Sequence, residues 1–178
     1  MARWIILLRG VNVSGKNKVP MAEWKAGLAA LGHTNIVTLQ NSGNAALDAE
    51  KDQETLTGEI AGMIKERFGL EIPVYAIEQE ALRELLTHAP AWWGREDKAI
   101  YDNLIFLLPP HTAEELEEAL GAPHPELEWV RPCGDAVFWS FDRQKYQKTN
   151  WWPRTAQEPA REWITIRTAG TVRKLAAL

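Results

Sequence analysis

Three residues near the N-terminus have the spacing of a nucleotide-binding phosphate loop. Gly10, Gly15 and Lys16 match the pattern G-x-x-x-x-G-K and follow an apolar stretch that is typical of a buried strand. A working phosphate loop also needs a hydroxyl residue after the lysine to bind Mg²⁺, and a helix that begins at the lysine. Here Asn17 follows the lysine, and Pro20 disfavours a helical conformation in the residue before it. The sequence therefore argues against a nucleoside triphosphatase.

The same loop is suited to a simpler anion. Its arginine and lysines supply positive charge, and its glycines let backbone N–H groups approach a ligand closely. Four hydrogen-bonding side chains surround Gly43 in a predicted hairpin turn further along the chain. We predict a site for a phosphate-bearing or other anionic ligand where the loop meets this hairpin. Its residues are Arg9, Gly10, Asn12, Gly15, Lys16, Lys18, Gln40, Asn41, Ser42 and Asn44.

Two plainer interpretations of these residues stay open. The loop could be a solvated basic connection between a strand and a helix. Asn12 and Asn44 could serve only to tie the loop to the hairpin, because asparagine amides often satisfy tight turns.

No other group of residues predicts catalysis or metal binding. The histidines lack the i, i+3 or i, i+4 spacing of a metal site and are expected on the surface and in loops; they are His33, His88, His111 and His124. Cys133 has no apparent histidine partner, so a bystander thiol is favoured over a nucleophile. The glutamates of residues 114–118 are typical of a solvated helix face. The sequence therefore predicts no cofactor and favours a protein that is not an enzyme.

Aromatic and basic residues alternate between residues 139 and 154, a composition that single-stranded nucleic-acid binders share. Trp139 and Phe141 alternate with Val137, which predicts that all three face the core. Only residues 146–154 then remain as a stacking surface. Nucleic-acid binding is therefore an alternative that the sequence does not favour.

The charge of the chain is unevenly distributed. The formal net charge is −4, yet residues 1–25 carry five basic and one acidic side chain, and residues 143–178 carry eight and two. If the fold brings these segments together, they form one cationic face on an acidic body; unrelated solvated charges are the favoured alternative. A single cysteine and the absence of a long apolar segment predict a soluble cytoplasmic protein without a membrane anchor.

Periodicity predicts the same order of elements twice. Strands are expected at residues 3–8, 35–40, 45–48, 73–77, 104–108, 127–131, 136–141 and 163–167, and helices at 20–31, 56–68, 82–86, 112–120 and 171–178. The helical signal at residues 145–152, between the last two strands, is weak, and Pro153 follows it. Thr112 and Glu115 form a predicted capping box. The fold class is therefore α+β, with two ferredoxin-like βαββαβ halves in pseudo-repeat and an extra helix after each. The expected domains are residues 1–88 and 103–178, with a linker at 89–102.

Several segments resemble the bacterial family known as domain of unknown function 1697 (DUF1697). The similar segments are Leu7 to Val13, Gly15 to Met21, Leu31-Gly32 and Gln40 to Asn44. The resemblance implies a cytoplasmic protein with no established activity.

The resemblance also suggests secondary site residues near the C-terminus. The family's Ser-Lys-Leu-Thr-Asn segment is loosely matched here, which carries over Thr149 and Asn150, and the family's Arg-Asn-Trp-Asn-Thr-Val segment carries over Arg167. This chain lacks two amides and an indole of the latter segment, having Thr168, Ala169 and Gly170 in their place.

Two hypotheses of different kinds follow. The first is a binding module for an anionic small molecule at the loop of residues 9–18. The second is an interaction module that pairs with itself or with a protein partner. Salt-sensitive ligand binding would favour the first, and a stable oligomer without a ligand response would favour the second.

Overall fold

A computed structural model describes the whole chain, residues 1–178. The contacts divide it into a first unit, Met1–Glu84 with Lys174–Leu178, and a second unit, Leu85–Arg173. Each unit contains a four-stranded antiparallel sheet in βαββαβ order, so the predicted α+β class with two ferredoxin-like halves is confirmed. No helix combines the length and the apolar character that a membrane span requires.

The first unit begins with a long connection between its first strand and first helix. Its elements are β1 (Ala2–Leu8), α1 (Met21–Ala30), β2 (Thr34–Leu39), β3 (Asn44–Ala49), α2 (Gln53–Phe68), β4 (Val74–Glu78) and α3 (Gln79–Thr87). The strand order is β2-β3-β1-β4, and β3 runs antiparallel to both β1 and β2. Therefore β1 and β2 are parallel, and the segments that follow them lie at the same end of the sheet.

The core of this unit lies between one sheet face and two helices. Trp4, Ile6 and Leu8 alternate along β1 and pack with Trp24 and Leu28 of α1. A strand that alternates in this way places every second side chain on the same face. The helices begin and end at the expected signals, since Pro20 precedes α1, and α2 is capped by a carboxylate oxygen of Asp52 that accepts a hydrogen bond from Thr55 N at 2.7 Å.

The C-terminal segment is anchored to the first unit through backbone carbonyls. Gln79 Nε2 donates to Leu175 O at 3.1 Å and to Leu178 O at 2.7 Å. Arg3 Nε also donates to Leu178 O, at 3.0 Å, and Arg83 Nε donates to Ala176 O at 2.7 Å. These bonds satisfy carbonyls at a helix end that have no partner within the helix.

The second unit repeats the arrangement with a shorter connection after its first strand. Its elements are β5 (Ile100–Leu107), α4 (Ala113–Leu120), β6 (Glu128–Cys133), β7 (Ala136–Asp142), α5 (Trp151–Thr155) and β8 (Ile164–Thr168), in the strand order β6-β7-β5-β8. The last helix, α6 (Ala169–Ala176), begins in this unit, and its residues from Lys174 onwards belong by their contacts to the first unit. Thr112 is the N-cap of α4, because its Oγ1 accepts a hydrogen bond from Glu115 N at 3.2 Å, but the Glu115 carboxylate lies 3.1 Å from His111 Nδ1 and so does not complete the predicted capping box. Residues 89–102, expected as a linker, belong by their contacts to this unit, and β5 begins before the predicted strand.

Trp139 and Phe141 belong to the hydrophobic core of the second unit, together with the fully buried Trp151. A buried carboxylate organises the surrounding backbone. Glu128 accepts hydrogen bonds from Trp139 Nε1 at 3.0 Å and from backbone N–H groups, namely those of His124 at 2.8 Å, Asn150 at 2.6 Å and Trp151 at 3.3 Å. This network holds the short helix α5, whose length would not sustain a helix by itself.

Candidate functional site

The loop of residues 9–20 and the hairpin of residues 40–43 meet at one end of the first sheet. Leu8 N donates to Gly43 O at 2.8 Å, which joins the end of β1 to the hairpin. The side chain of Asn12 continues the junction, because its Nδ2 donates to Asn41 O at 2.8 Å. The two segments that the sequence predicts as neighbours are therefore in direct contact.

Asn12 also closes the loop on itself. Its Nδ2 donates to Val19 O at 2.9 Å, and its Oδ1 accepts from Val19 N at 2.8 Å. Asn17 Nδ2 donates to Gly10 O at 3.0 Å, and Asn12 N donates to Asn17 O at 3.1 Å. These bonds give the loop a defined shape, although it contains no regular helix or strand. They agree with the interpretation that Asn12 ties the loop to the hairpin.

A tight turn forms the tip of the loop. Lys16 N donates to Val13 O at 2.9 Å, and the two residues between them, Ser14 and Gly15, have positive φ angles of 51° and 74°. Two consecutive left-handed residues define the type I′ turn. The turn fixes the backbone at the tip of the loop, and backbone N–H groups of turns bind anions in many proteins.

The charge of the loop is entirely positive. Residues 9–20 contain Arg9, Lys16 and Lys18 and no acidic residue. Both lysines are exposed, and Arg9 is half-buried. Arg9 N donates to Pro73 O at 3.1 Å, so the backbone that carries this guanidinium is fixed at the end of the sheet.

The hairpin contributes a close backbone approach and a buried amide. Gly43 has φ +84°, and a Cβ atom there would lie 2.6 Å from Leu8 Cβ and 2.9 Å from Val11 Cγ2. Only glycine fits this position without displacing its neighbours. Asn44 is fully buried, and its Nδ2 donates to Leu39 O at 3.1 Å and to Ser42 Oγ at 2.9 Å. Gln40, Asn41 and Ser42 are exposed around it.

Two residues that determine the shape of this loop were absent from the predicted site. Ser14 occupies the first left-handed position of the turn, and Asn17 fixes the start of the loop through Gly10 O. The dipeptide Ser-Gly is a turn signal in sequence and could have identified the tip. The role of Asn17 depends on a contact across the loop, for which the sequence carries no local signal.

The secondary candidates Thr149, Asn150 and Arg167 lie in the second unit. The side chains of Thr149 and Asn150 form hydrogen bonds with backbone carbonyls of the protein. Thr149 Oγ1 donates to Tyr146 O at 2.6 Å, and Asn150 Nδ2 donates to Ala122 O at 3.0 Å.

Arg167, on β8, is almost fully buried. Its Nη1 donates to Thr165 Oγ1 at 2.9 Å, and burial lowers its pKa to about 10. A guanidinium with this pKa is still protonated at neutral pH.

The histidines differ from expectation at one position. His33 is buried rather than exposed; it follows Gly32 at the end of α1, and its N donates to Leu28 O at 3.4 Å. Its Nε2 lies 2.7 Å from Glu59 Oε1, and Glu59 also pairs with Lys51. No group of three or more His, Cys, Asp and Glu side chains is placed to hold a metal ion.

The aromatic and basic segment leaves one exposed ring pair. Trp152 is 41% exposed and lies edge-on to Tyr146, with ring centroids 4.6 Å apart. Trp139, Phe141 and Trp151 are buried in the core and unavailable for stacking on a base. Nucleic-acid binding stays a prediction limited to this pair.

Comparison with known proteins agrees with the fold. A solved structure of a conserved bacterial protein, SP0830 from Streptococcus pneumoniae, is similar to this chain with a TM-score of 0.86 and 25% identity, over 99% of this chain and 97% of that one. The protein thus belongs to the α+β class with two ferredoxin-like units. A comparison with proteins of curated function finds no match.

The family model of a protein of unknown function, DUF1697, matches residues 1–138. This chain therefore belongs to the DUF1697 family, as its sequence motifs suggested. The matched range includes the whole loop and hairpin of the first unit, and it ends before Thr149, Asn150 and Arg167.

Proposed function

We propose that this protein is a binding module for a phosphate-bearing or other anionic small molecule. The ligand lies at the tip of the loop of residues 9–20, beside the hairpin of residues 40–43. Lys16 and Lys18 provide exposed positive charge, Arg9 adds charge at the base of the loop, and the Ser14–Gly15 turn presents backbone N–H groups.

The observation that carries this proposal is the rigid, purely basic loop. A flexible basic loop would lose conformational entropy on binding, and that cost would oppose affinity. Here the hydrogen bonds of Asn12 and Asn17 hold the backbone before any ligand arrives. The three basic side chains project from this ordered backbone. If the loop only connected a strand to a helix, neither the ordered turn nor the contact with the hairpin would be needed.

The proposal assigns different roles to the predicted site residues. Asn12 and Asn44 organise the site, because their amides bond to the protein itself. Gly10 and Gly15 allow the left-handed backbone, as does Gly43, which was not among the predicted site residues. Gln40, Asn41 and Ser42 stand at the rim of the hairpin, where their side chains select among anions by hydrogen bonding.

A thermal-shift titration with inorganic pyrophosphate tests the proposal. A ligand that binds only the folded protein stabilises it by about 2.7 kcal/mol at a hundredfold excess over its Kd. We expect Tm to rise with pyrophosphate concentration and the rise to shrink at high salt, because exposed charges are screened. The double variant Arg9→Ala with Lys16→Ala should abolish the rise.

A matched control removes the same charge elsewhere. The double variant Lys25→Ala with Lys98→Ala changes two exposed lysines outside the loop and should respond to pyrophosphate like the parent protein. If both double variants lose the response equally, binding is nonspecific and the proposed site is wrong. If the parent shows no response to pyrophosphate, phosphate or nucleotides at low salt, the anion-binding function is refuted.

A further inference from the structure

A groove in the second unit combines two tryptophans with two carboxylates. It has a volume of about 290 Å³ and is lined by Trp92, Arg95, Asp97, Ile100, Asp102 and Trp129. We call it the tryptophan groove. Its residues come from the segment before β5, from the start of β5 and from the edge strand β6, and none of them belongs to the anion site.

The sheet register aligns part of this groove in a row. Trp129 on β6 is paired with Ser140 on β7, and Ser140 is paired with Asp102 on β5. Residues paired across neighbouring strands project from the same face of a sheet. Trp139 and Phe141, one position to either side of Ser140, belong to the core on the opposite face. The indole of Trp129 and the carboxylate of Asp102 are therefore held on one rigid surface.

The carboxylates of Asp97 and Asp102 each accept one hydrogen bond from the protein, which orients the side chain. The buried Ser140 Oγ donates to Asp102 Oδ1 at 2.5 Å, and Ala99 N donates to Asp97 Oδ1 at 2.9 Å. The second oxygen of each carboxylate is left to accept from a ligand. A fixed carboxylate binds more tightly than a mobile one, since less side-chain entropy is lost.

Trp92 is positioned by its neighbour Trp93. Trp93 is buried, its Nε1 donates to Asn103 O at 2.7 Å, and its ring packs edge-on against Phe138 with centroids 5.0 Å apart. Trp93 N also donates to Pro90 O at 3.0 Å, which fixes the turn. The second indole of the pair is thereby placed, half-buried, in the groove.

We propose that the tryptophan groove binds a small organic cation, with its alkylammonium group against the indoles of Trp92 and Trp129 and with Asp97 and Asp102 as counter-charges. Tryptophan is the aromatic residue that attracts cations most strongly, and desolvation in a groove strengthens the attraction. The part of the chain that carries the groove is also acidic, because residues 85–142 contain 11 acidic and three basic side chains.

Arg95 gives the proposal a sharp test. Its guanidinium lines the same groove and is exposed, so it opposes a bound cation and would assist a bound anion or a neutral sugar. Replacing it by glutamine should therefore strengthen binding of a cation and weaken binding of the other two ligand classes.

The experiment follows indole N–H signals by NMR during titration with tetramethylammonium chloride, with sodium chloride and glucose as parallel titrations. The signals of Trp92 and Trp129, assigned from Trp→Phe variants, should shift saturably with tetramethylammonium alone. Asp102→Asn should weaken binding about tenfold, and Arg95→Gln should strengthen it by about twofold or more. Trp152→Phe, at an exposed indole outside the groove, should bind like the parent.

The outcomes separate the proposal from its alternatives. Choline and the peptide Gly-Lys-Gly carry the same ammonium chemistry, and the tighter of the two identifies a free cation or a lysine side chain as the natural ligand. Saturable shifts with glucose, weaker binding by Arg95→Gln, or identical shifts with sodium and tetramethylammonium would each overturn the proposal. Because Arg9 and Lys16 are not involved, failure here leaves the anion site untouched.

Discussion

The two units fix the end of their first strand in the same way but continue it differently. In the first unit Leu8 N donates to Gly43 O at 2.8 Å, and in the second Leu107 N donates to Asp135 O at 3.0 Å. Each of these bonds joins the first strand to the hairpin that follows the second strand. The junction of first strand and hairpin that supports the proposed anion site is therefore present in both units.

The residue after each of these, Arg9 in the first unit and Leu108 in the second, also forms an equivalent backbone hydrogen bond. Arg9 N donates to Pro73 O at 3.1 Å, and Leu108 N donates to Trp163 O at 2.7 Å, each joining the chain to the start of the unit's last strand. Beyond this point the first unit has the basic loop of residues 9–20. The second unit has only residues 108–112, with two prolines and no lysine or arginine. The shared fold supplies a place for a site, and the loop alone decides whether a charged site is built there.

Exchanging glycine for alanine in the two hairpins should give the largest difference between the units. Gly43→Ala combines a left-handed backbone with a clash against Leu8 and Val11, and we expect a loss of about 3 kcal/mol. Gly134 has φ +58° but no atom within 4 Å of a Cβ, so Gly134→Ala should cost about 1 kcal/mol. The midpoints of urea unfolding measure both. Equal losses would contradict the close contact at Gly43.

Each unit also depends on a different polar residue. In the second unit, Glu128→Gln would turn an amide NH₂ towards the N–H donors that the carboxylate now accepts, and we expect a loss of about 2–3 kcal/mol. Glu126→Gln, at an exposed position two residues earlier, is the control and should change stability by less than about 0.5 kcal/mol. An unchanged urea midpoint for Glu128→Gln would show that the network contributes little.

In the first unit, the polar residue that holds the surrounding backbone is Asn12. Asn12→Gly keeps the left-handed backbone and removes the side-chain bonds to Val19 and Asn41, which should cost about 1–2 kcal/mol and reduce the pyrophosphate response. Asn41→Ala retains the backbone carbonyl that accepts from Asn12, so it should be close to neutral for stability. A variant Asn12→Gly that is unstable but still responds fully to pyrophosphate would show that loop order is not needed for binding.

The smallest expected effect concerns pH and the buried histidine of the first unit. Burial is the main cause that lowers the pKa of His33 below 6.5; the Glu59 carboxylate opposes the decrease and the Lys51 ammonium reinforces it. A depressed pKa in the folded state means that the unfolded state binds the proton more readily. The contribution to stability is therefore complete above about pH 6.5 and is lost as the pH falls through the lowered pKa.

A pH series of urea midpoints measures this effect. His33→Gln should show a weaker decrease in midpoint between pH 7 and pH 5 than the parent protein. His88→Gln, at an exposed histidine, is the control and should keep the decrease of the parent. A parent whose midpoint does not change in this range would exclude the proposed role of burial at His33.

The sequence by itself determined the fold class and the order of most elements. Alternating apolar residues, glycine and proline positions and the N-cap residue Thr112 are local signals, and they are sufficient to predict βαββαβ twice. The loop and the hairpin meet because β1 and β2 are parallel, which places the segments that follow these strands at the same end of the sheet. The family was also recognisable, because four of its motifs occur within residues 7–44.

Only the tertiary structure decided which polar groups form hydrogen bonds within the protein. Asn12 and Asn44 were predicted among the ligand-binding residues, yet their amides bond to backbone carbonyls of the protein itself. The burial of His33 and the row formed by Trp129, Ser140 and Asp102 depend on register and on packing between elements distant in the chain. Sequence spacing carries no information on such contacts, because the partner of a polar group is set by where the folded chain places it.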